Sequence, residues 1–181
     1  MVTIRELRED DSLEAVSAIY ARSWRAAYRG IVPQGYLDRL EDGFWLSTLE
    51  ARRADSLVAE ADGVLAGTVC AGPGRDGRWW DWGEIVALYL LPDYQRRGIG
   101  TLLLEAAMGR LRQLGFANIY LWAAEGNLPA RRFYEARGFV PAPERTRAVL
   151  DGEAVWEVRY IRTQQTRNAR RERHDDCPAG K

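Results

Sequence analysis

The sequence predicts an α/β protein of the α+β kind, a single mixed sheet with helices on both faces. Two hairpin signals point to antiparallel pairs, Asp62-Gly63 between apolar runs and Asp151-Gly152 near the end of the ordered sequence. Between them, residues 84–91 form a continuous apolar run, as in a central strand covered on both faces, and helical periodicity follows directly. Hairpins on either side of a strand–helix–strand unit require parallel and antiparallel pairs in one sheet.

Residues 2–7 alternate apolar and polar, as a half-buried strand does. Asp10-Asp11-Ser12 supplies N-cap chemistry for a helix whose apolar face carries Leu13, Val16, Ile19, Tyr20 and Trp24. Pro33 opens a second helical segment and Phe44, Trp45 and Leu49 mark a third. Residues 56–61 and 64–71 make the first hairpin, after which Gly72-Pro73-Gly74 and Asp76-Gly77 give an irregular loop. Ile99, Leu103, Ala107, Leu111 and Leu114 trace one helical face, closed by Gly115. A strand over 117–124 leads to Asn127, which caps a short helix ending at Gly138. Phe139-Val140 begins the last hairpin, which returns through residues 154–161.

With 181 residues, 46% of them hydrophobic, the chain suits one domain with a self-sufficient core, expected over residues 1–162. Residues 163–181 are polar, rich in arginine and without periodicity, and are expected to form a flexible tail. Zero formal net charge gives no basic field for nucleic acid. No apolar run reaches the ~18 residues of a membrane span, and the first residues lack a signal h-region, so a cytoplasmic location is expected. Cys70 reads as a small buried hydrophobe, far from Cys177. The single histidine, His174, lies in the tail, which excludes most Ser-His-Asp and Cys-His schemes and leaves no metal expected. Chemistry is left to carboxylates, tyrosine, backbone groups and a bound co-substrate.

Gln95-Arg96-Arg97-Gly98-Ile99-Gly100 stands where a strand gives way to a helix. Backbone N–H groups converge at such a junction and the helix dipole favours an anion there. A third glycine at dinucleotide-fold spacing is missing, and so is the Gly-Lys-Ser/Thr ending of a P-loop. The hexapeptide resembles the Arg/Gln-x-x-Gly-x-Gly/Ala signature of the GNAT acyltransferase superfamily, which holds the pyrophosphate of coenzyme A. The likeness continues upstream through Leu88-Tyr89-Leu90-Leu91-Pro92-Asp93-Tyr94. It continues downstream in residues 127–139, which are similar to the family's Asn…Ala…Phe-Tyr-x-x-x-Gly-Phe block.

The resemblance implies a sheet whose fourth and fifth strands splay apart, with acetyl-CoA as co-substrate. Backbone groups of Leu88, Tyr89 and Leu90 are then expected along pantetheine. Those of Arg96, Arg97, Gly98, Ile99, Gly100 and Thr101 are expected around the pyrophosphate, with Asn127 touching the coenzyme or simply capping its helix. Tyr134, seven residues after Asn127, matches the family's general-acid tyrosine. Glu84, eleven residues before Gln95, matches the catalytic glutamate of the histone-type branch, and entry into the core predicts a raised pKa for it. Trp122 stands where the N-terminal-amine branch has its base, so that mechanism is not expected.

The expected reaction is acetyl transfer to a primary amine, of a small molecule before a protein N-terminus or lysine. A non-catalytic acyl-CoA sensor is the alternative of another class. For the acceptor, Trp24, Tyr28 and Trp82 are the candidate contacts, since aromatic walls near Glu84 suit a cationic amine. The Trp79-Trp80-Asp81-Trp82 cluster has a second assignment, as the contact of a homodimer.

Overall fold

Chain reversals fix the frame. Asp62 and Gly63 have φ of 52° and 79°, and Asp151 and Gly152 have 50° and 80°, the paired positive angles of a two-residue hairpin turn whose twist matches its strands. The structure, a computed structural model, describes residues 1–164; the expected tail, with Cys177 and His174, lies beyond them except for its first two residues. The turn at 62–63 joins β2 (Ser56–Ala61) to β3 (Val64–Pro73), and that at 151–152 joins β6 (Val140–Leu150) to β7 (Glu153–Arg162). β1 (Val2–Glu6) pairs antiparallel with β2, and α1 (Leu13–Ala27) follows it, its first turn capped by the Ser12 hydroxyl accepting from the Ala15 N–H at 3.1 Å. Two short helices, α2 (Gln34–Asp38) and α3 (Leu46–Ala51), complete one layer. β4 (Gly83–Leu90), α4 (Ile99–Gln113), β5 (Ile119–Ala124) and α5 (Leu128–Glu135) form the central unit.

The seven strands run in the order β1-β2-β3-β4-β5-β7-β6. Among the strands of the described residues only β4 and β5 are paired parallel, with α4 as their crossover. α4 buries Leu103, Leu104, Ala107 and Leu111 in the cluster that also holds Val69, Ile85, Leu121 and Tyr160. On the other face, Val16 and Tyr20 of α1 and Leu49 of α3 pack with Val58, while Val32 and Leu37 pack with Val155. Strand parity therefore divides the residues cleanly: Ile119, Leu121 and Ala123 of β5 face α4, and Tyr120, Trp122 and Ala124 face the α1 layer.

A bulge in β4 sets the position of the site. Cys70 of β3 stands opposite Ala87, but Ala71 stands opposite Ile85, so Val86 is an extra residue with no partner on β3. Before the bulge, the Gly83 N–H turns toward the β5 side and donates to Asn118 C=O at 2.9 Å. Beyond it the phase is reversed. Leu91 N–H donates to Ala66 C=O on the β3 side, so Leu88 and Leu90 turn their backbone groups toward β5. β5 is no longer there to meet them, because the parallel pairing stops at Ile85 and Leu121. The far side of β5 stays paired with β7 along its whole length, so β5 is held while β4 turns away.

Candidate active site

The splay opens a cavity of about 800 Å³ between β4 and β5, a size that suits an extended cofactor-like ligand. Its walls include Leu88, Tyr89 and Leu90 on one side, Trp122 and Ala124 on the other, and Asn127, Phe133 and Tyr134 along α5. At one end lies the strand-to-helix junction. Pro92–Tyr94 makes a 3₁₀ turn, then Arg96 and Gly98 adopt φ of 59° and 81° before α4 begins at Ile99. Two left-handed residues so close together fold the backbone into a concave turn. Among the described residues the N–H groups of Arg96, Arg97 and Gly98 meet no backbone acceptor, and the first helical N–H groups, at Ile99 and Gly100, have no carbonyl one turn earlier. This is an anion cradle by construction. A Cβ on Gly98 would meet nothing within 4 Å, so glycine is needed there for its angle and the open face above it.

Not every residue expected in the cradle points into it. Arg96 lines the cavity, but the Arg97 guanidinium lies 5.2 Å from the centre of the Tyr94 ring. Ile99 is a core side chain, 1% exposed, and offers only its backbone. The Thr101 N–H already donates to Gly98 C=O at 3.0 Å, and its hydroxyl accepts from Arg137. Along β4, Leu88 and Leu90 present backbone groups to the cavity, but Tyr89 has the opposite phase, so its backbone faces β3 and its phenol is what reaches the cavity. The Leu90 carbonyl is taken by the Ser23 hydroxyl of α1 at 2.7 Å, which ties the helix to the splay point. The Asn127 side chain caps α5 by accepting from the Ala130 N–H at 3.2 Å, and the residue also lines the cavity.

Tyr134 sits in the last turn of α5, 9% exposed, with its ring edge-on to Phe133 and Phe139. Burial pushes its phenol well above the ordinary tyrosine range, so it stays protonated and able to donate. A second, smaller pocket of about 140 Å³ adjoins the cavity through Tyr28, Val86, Tyr89, Trp122 and Ala124. Its remaining walls are Trp24 of α1, Arg75 and Glu84, and residues of the β6–β7 hairpin including Leu150, Val155 and Glu157. Trp24 Nε1–H donates to the Tyr89 hydroxyl at 2.9 Å, fixing the indole at the pocket mouth. The hairpin tip is tied over α2 by Arg39, whose guanidinium lies 2.5 Å from Asp151 Oδ1.

Residues 13–139 match the acetyltransferase (GNAT) family. An N-acetyltransferase of Bacillus subtilis, YuaI, is 33% identical over 138 residues, covering 75% of this chain and 79% of its own. The phosphinothricin N-acetyltransferase of Streptomyces viridochromogenes is 32% identical over a shorter stretch, 52% of this chain and 53% of its own. Among solved structures, the PaiA N-acetyltransferase of Thermoplasma acidophilum, crystallised with coenzyme A, superposes with a TM-score of 0.67 at 23% identity, over 90% of this chain and 99% of the other.

The chain belongs to the GNAT family. It is an acetyl-CoA-dependent acyltransferase with the family's fold, and the enzyme assignment stands over that of a non-catalytic sensor. Among the described residues no helix is long and apolar enough to cross a membrane.

Two expectations for the acceptor side of this GNAT protein need correction. Glu84 is buried, 1% exposed, but its carboxyl is not raised. Burial alone would push it up; the Arg75 guanidinium, with Nε 2.9 Å from Oε2 and Nη2 2.6 Å from Oε1, outweighs that and holds it below the ordinary range. The Arg75 backbone N–H and the Tyr120 hydroxyl add two more donors to Oε2, each at 3.0 Å. Trp82 is the second. It lines neither pocket and packs edge-on against Trp79 at 4.3 Å. Trp79 in turn covers the buried Arg159, whose guanidinium lies among Trp79, Tyr120 and Trp122 at 4.4–5.0 Å and donates to Asp76 at 2.7 Å. The tryptophan cluster thus shields a structural cation.

Sequence reasoning passed over Arg75, Arg137 and Glu157. Arg137 lines the cavity near the cradle, stacked 3.8 Å from the Phe133 ring centre. It lies inside the motif that contains Tyr134 and was findable there. Arg75 in an irregular loop and Glu157 on a last strand carry no local signal.

Proposed function

We propose that this enzyme moves the acetyl group of acetyl-CoA to the primary amine of a small molecule. The observation that carries this is the arrangement of the two spaces: a long cavity with an anion cradle and Tyr134 in its wall, adjoining past Tyr28 and Trp122 a small pocket of about 140 Å³. The donor fits the first space. Its pyrophosphate meets the N–H groups of residues 96–100 with Arg96 and Arg137 nearby, and its pantetheine lies along the Leu88 backbone and the Leu90 N–H. The Leu88 and Leu90 N–H groups then stand ready to stabilise the thioester carbonyl as it becomes an oxyanion. Tyr134 hands its proton to the departing thiolate.

The second space favours a small acceptor. A protein substrate needs an open trench for its chain, whereas here the β6–β7 hairpin is tied across α2 by the Arg39–Asp151 pair. The phosphinothricin-acetylating relative acts on a small amine of this kind. Trp24 and Tyr28 supply the aromatic wall, and Glu84 serves to hold Arg75 in place. Release of CoA, followed with a thiol reagent over a panel of small amines and peptides, tests the proposal. A small primary amine is expected to give the highest kcat/KM; a peptide N-terminus or lysine outrunning every small amine overturns it.

A further inference from the structure

The acceptor pocket holds two carboxylates in opposite circumstances. Glu84 is saturated with donors, from the Arg75 guanidinium and backbone and from Tyr120. Glu157 has none among the described residues, although it is partly buried and lines the same pocket. Its position follows from the sheet. On β7 it stands opposite Ala124, the last residue of β5 and a wall of both spaces, so its side chain projects on the α1 side where the pocket meets the donor cavity.

We propose that Glu157 is the catalytic base, the group that receives the acceptor's ammonium and takes its proton. The assignment rests on the small-amine function above and adds the residue that activates the amine. A partly buried carboxylate that holds no protein donor among the described residues and faces a pocket is suited to a cationic ligand that completes it. The groups facing it are Tyr28 just after α1, Arg75 and Glu84 from the opposite wall, and Tyr89 from β4. From β6 its register partner is the uncharged Thr146, while the neighbouring Arg145 and Arg147 lie over the ring of Trp156. Burial raises its pKa, with Arg75 offsetting part of the effect. That direction suits a base working near neutrality, and it is opposite to that of Glu84.

The ammonium N–H bond breaks, its proton forms an O–H bond on Glu157, and the freed lone pair attacks the thioester carbon. A C–N bond forms, and the C–S bond breaks as the tetrahedral intermediate collapses. The thiolate takes the Tyr134 proton, and the phenolate recovers one from the amide nitrogen. Glu157 releases its proton to solvent, so each turnover yields amide, free CoA and one proton.

The test compares the wild type with Glu157→Gln on whichever of phosphinothricin, glutamate, phenethylamine and spermidine is turned over fastest. At about pH 7, kcat is expected to fall by about a hundredfold with the KM for acetyl-CoA unchanged, and the deficit to shrink toward about pH 9.5, where the amine sheds its own proton. An unchanged kcat, or an equal loss at both pH values, overturns the assignment. Because ionising Glu157 is opposed by burial, Glu157→Gln should hold or raise Tm at pH 7; a clear fall in Tm marks a structural carboxylate and also overturns it. Failure of the small-amine proposal is seen separately, as a wild type that turns over none of the four. A peptide amine then replaces them, and the same comparison of the two proteins decides the role of Glu157.

Discussion

The two halves of this site, to which we assign the donor and the acceptor, are built on different principles. The donor half is nearly continuous in the chain: β4, the cradle and the start of α4, then α5 across the gap. Its recognition elements are mostly backbone, set by two positive φ angles, a helix start and a bulge. The acceptor half gathers Trp24 from α1 and Tyr28 just after it, Arg75 from a loop, Glu84 from β4 and Glu157 from β7. There the chemistry depends on which charge finds which partner. Two glutamates in one pocket acquire opposite tendencies because one is bonded to an arginine and the other is not. A backbone site can be shared across a family while a side-chain site is rebuilt from member to member.

Substitutions on each half sharpen this contrast. Gly98→Val gives the largest effect expected. A β-branched residue is strained at a φ of 81°, and its side chain enters the open face of the cradle. Affinity for acetyl-CoA, measured by calorimetry, should drop by at least ~100-fold while the far-UV circular dichroism stays native. Wild-type affinity would show that the cradle does not hold the coenzyme.

Tyr134→Phe removes a proton donor and leaves the packing against Phe133 and Phe139 in place. A drop in kcat of at least ~10-fold with little change in acetyl-CoA affinity is expected. Equal turnover would take Tyr134 out of the chemistry and leave it as packing.

Glu84→Gln belongs to the acceptor half and should appear first as lost stability. It unpairs Arg75, whose side chain is 54% exposed, so the cost is about 2 kcal/mol, less than for a fully buried pair. The sign with pH is definite. Glu84 is held below its ordinary value near 4.5, so its contribution is present above that value and fades as pH falls through the lower folded value. In urea melts the gap between wild type and variant should therefore narrow below about pH 4; a gap independent of pH would mean the carboxylate charge is not what stabilises.

Arg39→Ala is expected to do least. It frees the hairpin tip from α2, raising the acceptor KM a few-fold and leaving acetyl-CoA affinity alone. An effect on acetyl-CoA binding as well would mean that the two halves are coupled through the hairpin.

The element order, both hairpin turns and the cradle were legible in the sequence because each is written in adjacent residues: Asp-Gly pairs, a capping Ser12 or Asn127, a glycine before a helix. The place of Tyr134 in the cavity wall was legible from its motif. The β4 bulge was not legible. Val86 looks like any residue of an apolar strand, and only the shift in register against β3 reveals it. Glu84 was found but its ionisation was misjudged, since the opposing charge comes from Arg75 in a loop with no pattern of its own. Trp82 was drawn to the acceptor by its aromatic neighbours, whereas the cation they cover is Arg159, far along the chain. Glu157 left no trace in the sequence beyond an acidic residue on an alternating strand.

The most direct test of the central claim is a crystal structure of the protein grown with acetyl-CoA. The account predicts density for the pyrophosphate against the N–H groups of residues 96–100, pantetheine running along Leu88 and Leu90, and the thioester beside the Tyr134 hydroxyl. Coenzyme density outside the gap between β4 and β5, or a thioester remote from Tyr134, would contradict it.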